Sequence, residues 1–251
     1  MIVDRYYYHQ LNVQEQAIYK AFYKGLMAHE ELIPIPIKGV LPSEVFGKIY
    51  KAMTKDNPLI YYVNQSTCKM ATDGLGHTAI CPQYFYSQDK VKEFNRKIQD
   101  TVNQLAGDLN LIEGSEYEKE LKIHDWFCKN IKYDHQGTDL ADPHRVIFSH
   151  NIIGVFAKQT AQCEGIAKAM KVLLNALDMK CIVAMGEAGQ GKDWGPHAWN
   201  IVNIDGKAYQ ADVTWDIGDS VGGKISYEYF NVTDRFMKKT HKAEDDLPKC
   251  K

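Results

Sequence analysis

This sequence has no CxxC pair. Its six cysteines, at 68, 81, 128, 163, 181 and 250, are scattered through 251 residues. Their scatter excludes a dense disulfide framework and points to reduced thiols; Cys68 and Cys81 are placed to pair only in an exported protein. No apolar run reaches the length of a membrane span. A net charge of -2 gives no electrostatic footprint for nucleic acid or an anionic membrane as main partner. The amino terminus, Met1-Ile-Val-Asp-Arg-Tyr6, shows no basic flank followed by an apolar stretch, so no signal peptide is read there. That fits either a cytoplasmic protein or a trimmed form of an exported or cell-surface one. Internal repeats and low-complexity tracts are also missing. What remains, 45% apolar and 25% charged residues, is the make-up of an ordinary globular chain, long enough for one large domain or two small ones.

Residues 1–110 read as a smaller mixed α/β region without evident chemistry. Asn12-Val-Gln-Glu15 forms a capping box that opens a helix carrying Val13, Ala17, Ile18, Ala21, Phe22 and Leu26. Ile33-Pro-Ile-Pro-Ile37 alternates, but its prolines cannot donate to a ladder, so it is an edge strand or connector. Ser43 is read as the cap of a second helix that stops at Asp56-Asn-Pro58. Strands are expected at Leu59–Val63 and Gln83–Tyr86, on either side of a turn near Gly74 and Gly76. A long helix follows from about Ser87 to Leu109. The tyrosines at 6, 7 and 8 read as half-buried structural aromatics. The joint between the two regions is placed at Gly107–Gly114.

Residues 111–251 carry the chemistry. Ser115-Glu-Tyr-Glu118 is a second capping box, starting a helix through Leu121, His124, Phe127, Cys128 and Ile131. The stretch from Asp134 to Asn151 is polar and reads as irregular. Its His135, His144 and His150 match no zinc spacing, so no metal is expected. Behind Cys163, apolar residues at 166, 169, 170, 173, 174 and 177 form the stripe of an amphipathic helix. Cys163 therefore sits on the first turn, where backbone N–H groups are unpaired and the macrodipole is positive. A buried strand, Cys181–Met185, comes next. Gly186-Glu-Ala-Gly-Gln-Gly-Lys192-Asp193 nearly spells a phosphate-binding loop. However, Asp193 stands where Ser or Thr must hold the metal, and Trp-Gly-Pro cannot continue as a helix. The segment Gly186–Pro196 is read as a mobile loop walling and gating a cleft.

Two strand-like runs, His197–Ile204 and Lys207–Trp215, are joined by Asp205-Gly206, a strong hairpin signal. A two-residue turn sets Ile204 opposite Lys207 and Trp199 opposite Asp212, with His197 and Asp212 as diagonal neighbours ~7–8 Å apart at the backbone. A bulged turn instead puts them on opposite faces. A thiol at a helix start with a histidine–carboxylate pair supplies the parts of a nucleophilic site. The imidazole takes the thiol proton, and the carboxylate fixes its tautomer.

Gln162-Cys-Glu-Gly-Ile-Ala167, His197-Ala-Trp-Asn200 and Asp212-Val-Thr-Trp-Asp216 resemble the three signature blocks of the transglutaminase-like superfamily of papain-like cysteine enzymes. Ile123-His-Asp-Trp126, with Tyr133 after it, resembles the preceding helix of bacterial members. Tyr229-Phe-Asn-Val-Thr-Asp234 resembles their closing strand and turn. The resemblance spans roughly residues 115–241, and residues 1–110 look like an amino-terminal extension. It implies an α+β fold in which a nucleophile helix packs on an antiparallel sheet. It also implies Cys163 as nucleophile, His197 as base and Asp212 as orienting acid. The tryptophan that shapes the oxyanion hole in eukaryotic members has no counterpart at 150–162. The backbone N–H of Cys163 is one expected oxyanion donor, and Gln159, Gln162 and Trp199 are candidates for the second.

The expected function is cysteine-dependent acyl transfer from peptide or glutamine-type amides of a peptide or protein substrate, without cofactor. Release by water, as in a peptidase or amidase, is expected rather than transfer to an amine. The alternatives are a cross-linking transglutaminase and, in another class, a non-catalytic binding or cell-surface assembly module.

Overall fold

The computed structural model describes residues 5–139, 141–220 and 222–251. Met1–Asp4, on which the reading of no signal peptide partly rests, lie outside these, as do Leu140 and Val221. The fold is α+β and divides into two compact units, Arg5–Lys97 and Ile98–Lys251.

In the first unit, α1 (Val13–Ala28) starts at the Asn12 capping box, with both reciprocal hydrogen bonds to Glu15 formed. Helix α1 buries Ile18, Phe22 and Leu26, and Phe22 packs on Phe46 of α2 (Ser43–Asp56). Ser43 is the first residue of α2 rather than its cap: Pro42 holds that position, and its carbonyl accepts from Phe46 N–H. Between these helices runs β1 (Ile33–Lys38), an edge strand of a sheet ordered β1-β3-β2. The other two strands are β2 (Lys69–Thr72) and β3 (His77–Cys81), which close the Asp73–Gly76 turn. Leu59–Val63 and Gln83–Tyr86 are therefore not the sheet; they are joined by an isolated bridge from Val63 to Tyr84 and by the packing of Tyr61 on Tyr86 and Tyr62 on Tyr84. Apolar content misleads at this point. Ile60–Val63 are buried with no more than that bridge, whereas the true strand β2 is mostly exposed and has no apolar face to read. Tyr7 and Tyr8 are buried, and their N–H groups donate to Asp56.

Helix α3 (Gln88–Asp108) carries the boundary between the units, at Lys97/Ile98. The second unit continues with α4 (Glu116–Asn130), whose Ser115–Glu118 capping box is complete. Two-residue β4 (Lys132–Tyr133) follows. The stretch read as irregular contains a short helix, α5 (Pro143–Ser149), capped by Asp142, and is succeeded by α6 (Ile152–Lys158). Strand β5 (Thr160–Ala161) pairs in parallel with β4 and leads directly into α7 (Cys163–Ala176). Nearly every α7 residue from Gly165 to Asn175 is buried, so the apolar stripe lies on a helix covered all round.

The sheet that α7 packs on is ordered β8-β7-β6-β9. It comprises β6 (Cys181–Gln190), β7 (Asp193–Ile204), β8 (Lys207–Ala211) and β9 (His241–Ala243), all antiparallel. Asp205 and Gly206 both have positive φ (50° and 80°), and Ile204 faces Lys207, so the tight two-residue turn is the one formed. The glycine-bearing segment Gly186–Pro196 is not a loop. It is the far end of the β6–β7 hairpin, paired from Gly186↔His197 to Gln190↔Asp193. Gly186 is required there because a Cβ would stand 2.0 Å from the Lys242 carbonyl of the neighbouring β9 strand. Two further helices, α8 (Val213–Asp219) and α9 (Asp234–Met237), complete the unit.

One buried acid on α4 opposes folding at neutral pH. Burial pushes Glu120 up to about 7 despite the Asn231 amide that donates to its Oε2; its Oε1 has no partner. A carboxyl whose folded value lies above its ordinary 4.5 binds more protons folded than unfolded. Stability therefore falls as pH rises through that window and levels off above about 7. Glu120→Gln is expected to raise stability at pH 8 by on the order of 3 kcal/mol and to leave it nearly unchanged at pH 4. Paired thermal melts at the two pH values would check this, and an equal effect at both would count against it.

Candidate active site

Helix α7 begins where it does because its preceding residue is pinned from three sides. Gln162 N–H donates to the Ser149 carbonyl (2.9 Å), Gln162 Nε2–H to the Asp134 carbonyl (2.7 Å), and the Tyr133 hydroxyl to Gln162 Oε1 (3.1 Å). Asp134 is itself held by the Arg145 guanidinium, which keeps its carboxyl below the usual range. A Cβ on Gly165 would meet the Ser149 carbonyl at 2.5 Å, so glycine lets the first turn of α7 press against this backbone. Cys163 is thereby fixed as the first helical residue, only 7% exposed, in a cluster with Ala167, Val183 and Ala198 against which Tyr133 and Met185 pack.

His197 comes from β7 and Asp212 from the residue after β8. The residues after Asp212 do not extend the strand as the sequence suggests; Asp212 caps α8, its Oδ1 accepting from Thr214 N–H (3.0 Å) and Trp215 N–H (3.2 Å). The other oxygen, Oδ2, lies 2.7 Å from His197 Nε2. Asp216, one turn further, anchors this helix from within: it contacts His124 Nε2 of α4 at 3.0 Å and accepts from Ser226 Oγ–H and Tyr229 N–H. The imidazole of His197 is nearly parallel to the Trp199 indole (14°) and tilted against Trp215.

The charges are strongly coupled. Burial alone would lower the His197 value, but the charge and hydrogen bond of Asp212, followed by Cys163, outweigh it and raise it to about 10. Burial would likewise raise Asp212, yet His197 and then His241 bring it down to about 2. The Tyr133 phenol is pushed up to about 12 by burial and by the neighbouring Cys163 and Asp212. It is thus a donor at every ordinary pH.

Of the residues considered for the oxyanion hole, Gln162 has both amide ends committed to Asp134 and Tyr133. Trp199 donates its indole N–H to Gln210 Oε1 (2.7 Å), and Gln159 is an exposed residue with φ 52° ending α6. Tyr133 and His241 are the site residues that spacing alone does not single out. Tyr133 follows the α4 helix in a Tyr-Asp pair, a faint signal; His241 lies in Thr-His-Lys with no pattern around it. His150 pairs with Glu164 (3.3 Å) and His135 packs on the Tyr133 ring. Two imidazoles and a carboxylate, His197 Nε2, His241 Nε2 and Asp212 Oδ2, lie within 4.8 Å of one another and could hold a cation. Their contacts of 2.7 and 3.0 Å are hydrogen-bond lengths, whereas ligand atoms on tetrahedral zinc stand roughly 3.3 Å apart. None of the six cysteines forms a disulfide in the structure.

Residues 103–213 match the transglutaminase-like superfamily. Kyphoscoliosis peptidase of Mus musculus is 27% identical over 164 residues, 60% of this chain and 24% of that protein. The Homo sapiens protein of the same name is 26% identical over 160 residues, 59% and 23% respectively. The chain thus spans about a quarter of the length of these relatives. A TGase crystal structure aligns over 73% of this chain and 50% of its own, with 17% identity and a TM-score of 0.41.

Proposed function

We propose that this chain, whose residues 103–213 match the transglutaminase-like superfamily, is a cysteine-dependent acyl-transfer enzyme of that superfamily that hydrolyses peptide or glutamine-type amides. The observation that carries the reading is the 2.7 Å contact between His197 and Asp212, beside a buried cysteine at the start of α7.

Asp212 occupies His197 Nε2, so Nδ1 is the nitrogen that takes the Cys163 proton. The thiolate attacks the amide carbon, and the carbonyl electron pair moves to oxygen. The Cys163 amide N–H, free at a helix start, meets that oxyanion, and the Tyr133 hydroxyl joins it by turning away from Gln162 Oε1. His197 then protonates the leaving amine, the C–N bond breaks, and a thioester remains. Water, losing its proton to Nδ1, attacks the thioester and releases the acid and the thiol. The high value of His197 keeps the imidazolium available to protonate the amine, and the low value of Asp212 keeps its countercharge.

The mammalian relatives are named as peptidases, which supports hydrolysis over transfer to an amine. Peptides and glutamine amides incubated with the protein and a labelled primary amine should yield free acid with little label. Labelled adduct without free acid would shift the reading to a transglutaminase. No product across the panel would favour a binding module.

A further inference from the structure

We propose that His241 is a positioning residue for the nucleophilic site, a second imidazole that holds the Asp212 carboxylate in place for His197. The inference rests on the reading of Cys163, His197 and Asp212 as the reacting machinery, and adds a member that no signature block contains.

Asp212 Oδ2 is contacted twice, by His197 Nε2 at 2.7 Å and by His241 Nε2 at 3.0 Å. Its Oδ1 is filled by the N–H groups of Thr214 and Trp215. Four donors therefore surround a carboxylate that is 1% exposed, and a carboxylate anion can only accept. Both Nε2 atoms must then carry hydrogen. For His241, this leaves Nδ1 facing the Thr240 hydroxyl at 2.9 Å, a hydroxyl that also reaches the Met237 carbonyl at 3.4 Å.

Its placement is constrained as well. His241 is 3% exposed on β9, where it pairs opposite Ala188 of β6. Its ring packs edge-on against Trp199 (5.1 Å) and tilts against Trp215 (4.7 Å) and Tyr229 (5.7 Å). Trp199 and Trp215 also flank His197. A carboxylate with one imidazole partner can swing about its Cβ–Cγ bond. With a second donor on the same oxygen, that swing breaks a hydrogen bond in a dry environment, where an unpaired buried group is costly. The second donor fixes the direction in which Asp212 presents Oδ2 to His197, and through it the aim of His197 Nδ1 at the thiol.

The test uses the rate of Cys163 alkylation by iodoacetamide, read site by site by mass spectrometry, so that no substrate need be known. Four proteins are compared: wild type, His197→Ala, His241→Gln and His241→Phe. The glutamine keeps an N–H donor at similar reach; the phenylalanine keeps only the packing. We expect His241→Phe to slow Cys163 alkylation about tenfold or more, the loss of one well-placed donor, and His241→Gln to stay within about threefold of wild type. Equal losses in both, or none in either, would overturn the proposal and leave His241 a packing residue. Should His197→Ala match wild type, the reading of the nucleophilic site itself fails, a separate outcome from the His241 comparison. A second measurement serves where the Phe variant does not fold. Proton–nitrogen spectra of histidine-labelled wild type should show protected, downfield Nε2–H signals of which two move in Asp212→Asn, while that of His124, which faces Asp216, stays. Only one moving signal would contradict the proposal.

Discussion

Cys163→Ala is expected to lower turnover by about 10⁴-fold or more, with the fold retained. The loss is this large because no other described group can take over the covalent step. Tyr133 stays protonated, and His197 and Asp212 are directed at each other. The structural cost is small: Cys163 contributes a short side chain at the first residue of α7, and the helix start is held by Gln162, Ser149 and Asp134 through groups the substitution does not touch. Alanine is also a good helix former. Assays of free-acid release, with far-ultraviolet circular dichroism as the folding control, would check it. A variant retaining a tenth of the wild-type rate would remove Cys163 from the mechanism.

Asp212→Asn is expected to cost about 10⁴-fold in kcat while leaving α8 intact. Asparagine caps helices about as well as aspartate, so its carbonyl oxygen can keep the hydrogen bonds from Thr214 and Trp215. Its NH₂ then points at His197 and His241, where two Nε2–H groups now stand. Donor facing donor is unfavourable, so His197 must turn or switch its proton to Nδ1. The nitrogen needed as base is then blocked. The reverse flip preserves the imidazoles and strips the helix cap instead. In either case the aspartate cannot be replaced, whereas Asp216, also buried, ties α8 to α4 and leaves the chemistry alone. Activity assays paired with thermal melts separate the two flips: lost activity at near-constant melting temperature marks the first.

The parts of this fold legible in the sequence are those set by local chemistry. Asn12/Glu15 and Ser115/Glu118 mark helix starts because the reciprocal bonds are made within four residues. Asp205-Gly206 sets the hairpin register because only such residues accept positive φ twice in succession. Cys163 is placed by the apolar stripe behind it. The misread parts are those in which distant residues override local preference. Val213-Thr-Trp215 is β-branched and aromatic and reads as strand. It is drawn into helix by the cap at Asp212 and by Asp216, whose partners lie on α4 and around 226–229. Gly186–Pro196 has no apolar alternation, since its pairing is made by backbone alone, with β7 on one side and β9 on the other. His241 is invisible for the same reason: the sheet edge that brings it to Asp212 closes only after β9 pairs with β6.

The most direct measurement is the rate of alkylation of each of the six cysteines by iodoacetamide near neutral pH, in wild type and in His197→Ala. In wild type, Cys163 should react at least ~10-fold faster than any of the other five, although it is among the more buried, because an adjacent imidazole generates the thiolate. In His197→Ala that advantage should disappear while the other five keep their rates. A Cys163 that reacts no faster than the partly exposed Cys68, Cys81 or Cys128, or whose rate ignores the loss of His197, would contradict the account.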